Sequence, residues 1–151
     1  MKTINKIMVA VDFSEYSLAA ASYAVRLAKD VGAKLLFAHV YNKRHVDMLN
    51  MDASRVPEFS VKDYVEEHMD NLRDELQALV NKLNCGKLTV EIHVRMGVPH
   101  DALLQEIKEE KPDLLVMGAK GRSNVMDIIL GSCAQKMFKD CPIPLLSARG
   151  S

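Results

Sequence analysis

Gly118-Ala119-Lys120-Gly121 is followed, after nine intervening residues, by Gly131-Ser132. Residues without bulky side chains let the backbone approach an anion closely. Consecutive N–H groups and a helix N-terminus then supply donors and positive dipole to phosphate oxygens. Lys120 and Arg122 add mobile positive charge to the same stretch. An isolated pair of this kind also suits a tight strand-to-helix turn with no ligand, and it is the second glycine with its serine that favours the anion. The phosphate loop GxxxxGK[ST] and the dinucleotide fingerprint GxGxxG are both missing, which disfavours a P-loop GTPase and an ordinary NAD dehydrogenase. Asp12, closing an apolar run, is a second candidate for polar chemistry; an acid there also suits capping of nearby N–H groups.

The elements that must position these residues alternate along the chain. Lys6 to Asp12 and Lys34 to Tyr41 are apolar runs rich in branched residues, the pattern of buried strands. Between them Ser14 suits an N-cap, Leu18, Ala21, Val25 and Ala28 recur at helical spacing over Glu15 to Asp30, and Gly32 supplies a stop. Asn42 to Phe59 shows no clear period and is expected to be a long loop, with Arg44, Met48, Met51 and Arg55 forming a lid near the strand ends. Ser60 and Asp63 open a long helix whose apolar face carries Val61, Val65, Leu72, Leu76, Leu79 and Leu83, ended by Cys85 and Gly86. Leu88 to Val94 alternates and predicts a strand near a sheet edge. Pro99 starts a short helix stopped before Pro112. Asp113 to Met117 is another buried strand, a helix runs from Asp127 or Gly131 to Lys139, and Ile143 to Ala148 is the last strand. Five strands alternating with four helices predict a doubly wound, Rossmann-like α/β fold, a parallel sheet with helices on both faces.

The 151 residues make one domain, 1–151, without linker or repeat. Lys+Arg and Asp+Glu both total 20, so no broad charged surface favours nucleic acid or anionic lipid as a partner. Aromatic residues are 5% and Trp is absent, which leaves little for stacking on single strands. No apolar stretch approaches the ~18 to 20 residues that span a bilayer, and a soluble cytoplasmic protein is expected. Cys85, Cys133 and Cys141 form no CxxC pair and are read as reduced thiols.

These segments together resemble the universal stress protein family, in its ATP-binding branch. The likeness runs through KIMVAVDFSEYS, LLFAHVY, RMGVPHDAL, DLLVMGAKGRSN, LGSCAQK and CPIPLL, nearly the whole chain, and the complete glycine pattern is its most specific part. The resemblance implies strand order 3-2-1-4-5, a homodimer through the C-terminal strand, and a nucleotide held between the first and fourth strands. It places Ala10, Val11, Asp12 and Phe13 along the nucleoside, with Asp12 on the ribose or the metal-bound phosphates, and Val40 against adenine. Gly118, Ala119, Lys120, Gly121, Arg122, Ser123 and Asn124 would wrap the phosphates, completed by Gly131, Ser132, Cys133 and Ala134, and Met117 belongs to the same nucleotide-binding set. ATP with Mg²⁺ or Mn²⁺ is the implied ligand, the metal reaching the protein through the phosphates. A slow ATPase and a module that senses AMP or another adenine nucleotide are the alternative readings.

Lys120 stands where relatives often carry His or Arg, and Cys133 where Val is common. Cys133 is read as packing rather than as a nucleophile. No residue tied to the phosphate loop can orient an attacking water, so hydrolysis is expected to be slow. His39 is expected to be a hydrogen-bonded strand histidine. His45 and Asp47 lack the further ligands a metal would need, and Glu66, Glu67, Asp70, Arg73, Asp74 and Glu75 make a solvated helix face.

Overall fold

The computed structural model describes residues 3–53, 60–120 and 132–149. Along the chain run β1 (Lys6–Ala10), α1 (Glu15–Val31), β2 (Lys34–Asn42), α2 (Lys43–Ala53), α3 (Val61–Lys82), β3 (Val90–Gly97), α4 (Pro99–Glu110), β4 (Leu114–Gly118), α5 (Ser132–Asp140) and β5 (Leu145–Ala148). The strands form one parallel sheet in the order β3-β2-β1-β4-β5. This is the expected doubly wound fold with its expected strand order.

Two residues of each strand period divide the core into two layers. Ile7, Val9, Leu35, Phe37, Leu114 and Val116 face α1 and α3, packing on Ala20, Ala24, Leu76 and Val80. Met8, Leu36, Ala38, Leu115 and Met117 face α4 and α5, packing on Leu103, Ile107, Ala134 and Met137. Both faces of the central strands are therefore dry, which is why they read as unbroken apolar runs.

Helix α1 begins where Ser14 Oγ accepts the Ser17 N–H at 3.2 Å, and it ends at Gly32, whose φ of 73° suits a residue without a β-carbon. Its buried face is mostly alanine, Ala20, Ala21, Ala24 and Ala28, while Leu18 is half-exposed. The small face lets the helix lie close to the sheet. Ser60 caps α3 as expected, its Oγ accepting the Asp63 N–H at 3.2 Å, and Leu72, Leu76 and Val80 are buried. Pro99 opens α4.

The structure departs from expectation in three places. Residues 43–53 form α2 rather than part of a long loop, so there are five helices among the described residues instead of four; residues 54–59, with Arg55, lie outside them. Lys43 to Ala53 holds no Gly or Pro, and among its described side chains only Val46 is buried deeply, against Tyr41 and Leu72. One anchor makes too weak a stripe to read as a period. Strand β3 starts at Val90 and continues to Gly97, in register with Leu35–Asn42 of β2. It is an edge strand, and His93 and Arg95 on one of its faces meet acids of α4 rather than water alone. The last strand is shorter than expected, Leu145–Ala148, because Pro142 and Pro144 lack the N–H that a ladder uses. The segment before α5, 121–131, lies outside the described residues, and with it the Asp127 start.

The two-layer core makes a sharp contrast between two positions. Leu76 is 0% exposed and Met51 is 75% exposed. Leu76→Ala is expected to destabilise the protein by about 2–5 kcal/mol, lowering the urea midpoint with little change in slope, while Met51→Ala stays within about 0.5 kcal/mol. Equal effects at the two positions would contradict this packing.

Candidate functional site

In a parallel sheet the neighbours of the first strand leave it in opposite directions, α1 on one face and α4 on the other, and a crevice opens beyond the strand ends. Here the crevice is a cavity of about 450 Å³ at the carboxyl ends of β1, β2 and β4. Ala10, Val11 and Asp12 line it from β1, Val40, Tyr41 and Asn42 from β2, and Met117, Gly118 and Lys120 from β4. Ser132, Cys133 and Ala134, the first turn of α5, close another side.

The floor depends on how the chain leaves β1. The Val11 N–H still donates to the Ala38 carbonyl at 2.8 Å, and the chain then turns. Asp12 Oδ1 accepts the Ser14 N–H at 2.9 Å, and the Asp12 N–H donates to Ser17 Oγ at 3.3 Å. Asp12 therefore holds the turn that starts α1 as well as lining the cavity. Phe13 sits at φ 65°, an arrangement that costs a residue with a β-carbon of order 1–3 kcal/mol. Its ring lies 4.9 Å from the His39 ring. His39 Nδ1 is 2.6 Å from the Val11 carbonyl, so that nitrogen carries the proton and donates it. His39 is thus the hydrogen-bonded strand histidine the sequence suggests.

Gly118 has a requirement independent of any ligand. A β-carbon there would lie 2.7 Å from both the backbone carbonyl carbon and Cβ of Tyr16, and 2.9 Å from the Ser17 nitrogen. Only a residue without a side chain lets the first turn of α1 rest on the end of β4. Lys120 extends beside this turn, its Nζ 5.9 Å from the centre of the Tyr16 ring, within cation–π range. Ala119 is buried and donates its N–H to the Ala148 carbonyl at 2.8 Å, extending the pairing of β4 with β5.

Cys133 lies in the first turn of α5. Burial pushes its thiol up to about 11, with the nearby Asp12 carboxylate acting in the same direction and Lys136 opposing. At neutral pH it is a neutral thiol in the wall, as its reading as a packing residue requires.

Of the residues singled out in the sequence, Ala10, Val11, Asp12, Val40, Met117, Gly118, Lys120, Ser132, Cys133 and Ala134 meet around one cavity. Phe13 and Ala119 stand next to it and support it. Gly121, Arg122, Ser123, Asn124 and Gly131 lie outside the described residues. The cavity also has a wall that the sequence reading missed. Tyr41 stands with its ring 4.7 Å from that of His68 and 6.0 Å from that of His45, and His68 stacks on Tyr64 at 6.0 Å with 5° between planes. Burial, then the Tyr64 charge, raises the Tyr41 phenol above its ordinary range. His68 precedes Leu72 by one helical repeat, which is the signal that could have placed it on the inner face of α3.

The family follows from comparison with known proteins. Residues 3–149 match the universal stress protein family, to which this chain belongs. A universal stress protein of Thermus aquaticus is 31% identical over 150 residues, 95% of this chain and 97% of that one. Among solved structures, MJ0577 of Methanocaldococcus jannaschii superposes with a TM-score of 0.80 at 21% identity, covering 99% of both chains. A universal stress protein in complex with cAMP superposes with a TM-score of 0.66 at 23% identity, covering 99% of this chain and 100% of that one. At these identities the two structures establish the shared fold.

Gly118→Ala tests whether the cavity rests on the close approach described above. Tyr16 and Ser17 present backbone atoms, which cannot swing aside as a side-chain tip would, so a loss of about 1–3 kcal/mol is expected in denaturant unfolding. Wild-type stability in this variant would show that α1 does not rest on β4 as described.

Proposed function

We propose that this protein binds an adenine nucleotide in the crevice between β1 and β4, with ATP as the ligand, and acts as a cytoplasmic regulatory protein whose bound state is the signal. The observation that carries this reading is the convergence of Asp12, Gly118, Lys120 and the N-terminal turn of α5 on one cavity at the switch in strand order. Helix N-termini favour anions, and Lys120 adds a full positive charge. The cAMP complex of a protein with this fold supports an adenine ring joined to phosphate as the ligand class. Val40, at the end of β2, is the apolar surface against which the base would lie, and residues 118–124 with 131–134 are the proposed phosphate wrap.

Asp12 is the one carboxylate lining the cavity among the described residues. A single carboxylate fits Mg²⁺ or Mn²⁺ that arrives with the phosphates, because Mg²⁺ is commonly held by one or two carboxylates together with phosphate oxygens. Such an ion would neutralise phosphate charge; the chain itself supplies Asp12, Lys120 and the α5 N-terminus to orient the nucleotide. Cys133 is a neutral thiol and no second acid faces the cavity among the described residues, so turnover is expected to stay far below ~10 per second, the median for enzymes. The cAMP complex favours a second reading of the same cavity, a sensor of an adenosine monophosphate. We further propose a homodimer through β5, an edge strand whose Leu145 and Leu146 are half-buried within one chain. Among the described residues no helix is long and apolar enough to cross a membrane.

Calorimetric titration with ATP, cAMP and GTP, beside mass spectrometry of nucleotide released from freshly purified protein, tests the proposal. Adenine nucleotides are expected to bind and GTP to bind at least tenfold more weakly. Gly131→Val is expected to abolish ATP binding while the circular dichroism spectrum is unchanged, because a β-carbon would block backbone access to phosphate. Undiminished affinity in the folded variant would place the nucleotide elsewhere, and the absence of any adenine-nucleotide binding would overturn the reading.

A further inference from the structure

At the far end of α4 from the crevice, strand and helix periods bring a second set of polar side chains together. Period two places Glu91, His93 and Arg95 on the face of β3 that meets α4, and the helical repeat places Glu106 and Glu110 side by side on α4. His93 Nδ1 lies 2.5 Å from Glu106 Oε1 and 3.6 Å from Glu110 Oε1. One donor oxygen from each carboxylate and the imidazole nitrogen thus converge within 4.8 Å of one another.

The remaining oxygens are held from outside. Glu110 Oε2 accepts from Lys6 Nζ at 2.9 Å. Glu106 Oε2 lies 2.7 Å from Arg95 Nη2 as an ion pair, without the alignment of a hydrogen bond. Arg95 also pairs with Glu109. Behind the imidazole, Nε2 faces Glu91 Oε2 at 3.7 Å, the arrangement in which a carboxylate orients a ligating histidine. Glu106 is only 2% exposed, so its charge is not left to water.

Among the described residues four carboxylates, Glu91, Glu106, Glu109 and Glu110, face two permanent cations, Lys6 and Arg95. With His93 neutral the group falls two positive charges short, and two of its acids stand at a helical spacing where like charges repel. A single divalent cation supplies the missing charge. We propose that His93, Glu106 and Glu110 bind one transition-metal dication of the Zn²⁺ class, with water completing the coordination.

The donor set favours that class. Imidazole selects against Ca²⁺ and Mg²⁺, which take oxygen ligands, and suits Zn²⁺ together with carboxylates. Tetrahedral bonds of about 2.1 Å separate ligand atoms by about 3.4 Å. The His93–Glu106 contact must therefore open by roughly an ångström, and the donor set, which spans up to 4.8 Å, must close by a little more than that. The ion would take the place of the His93–Glu106 hydrogen bond, with the imidazole proton on Nε2, which faces Glu91. It would clamp the edge strand β3 to α4 independently of any nucleotide, since the cavity touches α4 only near Pro99 and Leu103.

The experiment is a titration of the nucleotide-free full chain with Zn²⁺ by calorimetry and with Co²⁺ by absorption spectroscopy. One equivalent of each is expected, with Co²⁺ d–d bands and no thiolate-to-cobalt charge transfer, which excludes the cysteines as ligands. His93→Gln and Glu110→Gln are each expected to weaken Zn²⁺ binding at least tenfold and to remove the rise in melting temperature that Zn²⁺ gives the parent. Glu110 is partly exposed, so its variant remains informative if the His93 variant folds poorly. Absence of stoichiometric binding below millimolar Zn²⁺, binding undiminished in folded Glu110→Gln, or a thiolate band would overturn the proposal.

Discussion

The absence of a side chain at Gly118 is the constraint on which the crevice depends. Because nothing projects from that position, Tyr16 and Ser17 come to rest against the end of β4, closer than any β-carbon would allow. The chain leaving β1 then has only Asp12 to Ser14 in which to turn from strand to helix. It manages this with Phe13 in the left-handed region, with Asp12 accepting the Ser14 N–H and with Ser14 accepting the Ser17 N–H of α1. The strain at Phe13 is offset by the contacts its ring makes with His39 and the nearby core. Cavity, cap and strained residue are consequences of one close approach.

The same constraint explains why Asp12 and Gly118 suit two purposes. Each has a structural role that would preserve it without a ligand: the acid caps, and the glycine admits a helix. Each also faces the cavity. A bound nucleotide would add phosphate and ribose contacts to a turn that Asp12, Ser14 and Gly118 already hold in place. The alanine face of α1 packs the helix against β1 and β4.

Much of this was legible in the residues. Buried parallel strands announce themselves as short apolar runs, and Ser14, Gly32, Ser60 and Pro99 mark helix ends by local chemistry, so most of the element boundaries follow, whereas the strand order came with the family resemblance. Asp12, Val40, Met117, Gly118, Lys120 and Cys133, all singled out in the sequence, line one cavity. What was hidden depends on contacts distant along the chain. α2 carries a single deep anchor, Val46, whose partners Tyr41 and Leu72 belong to other elements. The Tyr41, His45 and His68 wall joins three elements that no local pattern connects. His93 looks like one polar residue in an alternating strand until α4 brings Glu106 against it.

The central claim is that the ends of β1, β2 and β4 with the start of α5 form a single nucleotide site. Amide chemical-shift mapping on isotope-labelled protein during ATP titration tests it most directly, because it reads every backbone position at once. The account predicts saturable shifts concentrated at Ala10 to Phe13, Val40, Met117 to Lys120 and Ser132 to Ala134. Shifts centred instead on the opposite end of the sheet, around Lys29, Lys34 and Lys87, where the described residues form a second cavity, would contradict it.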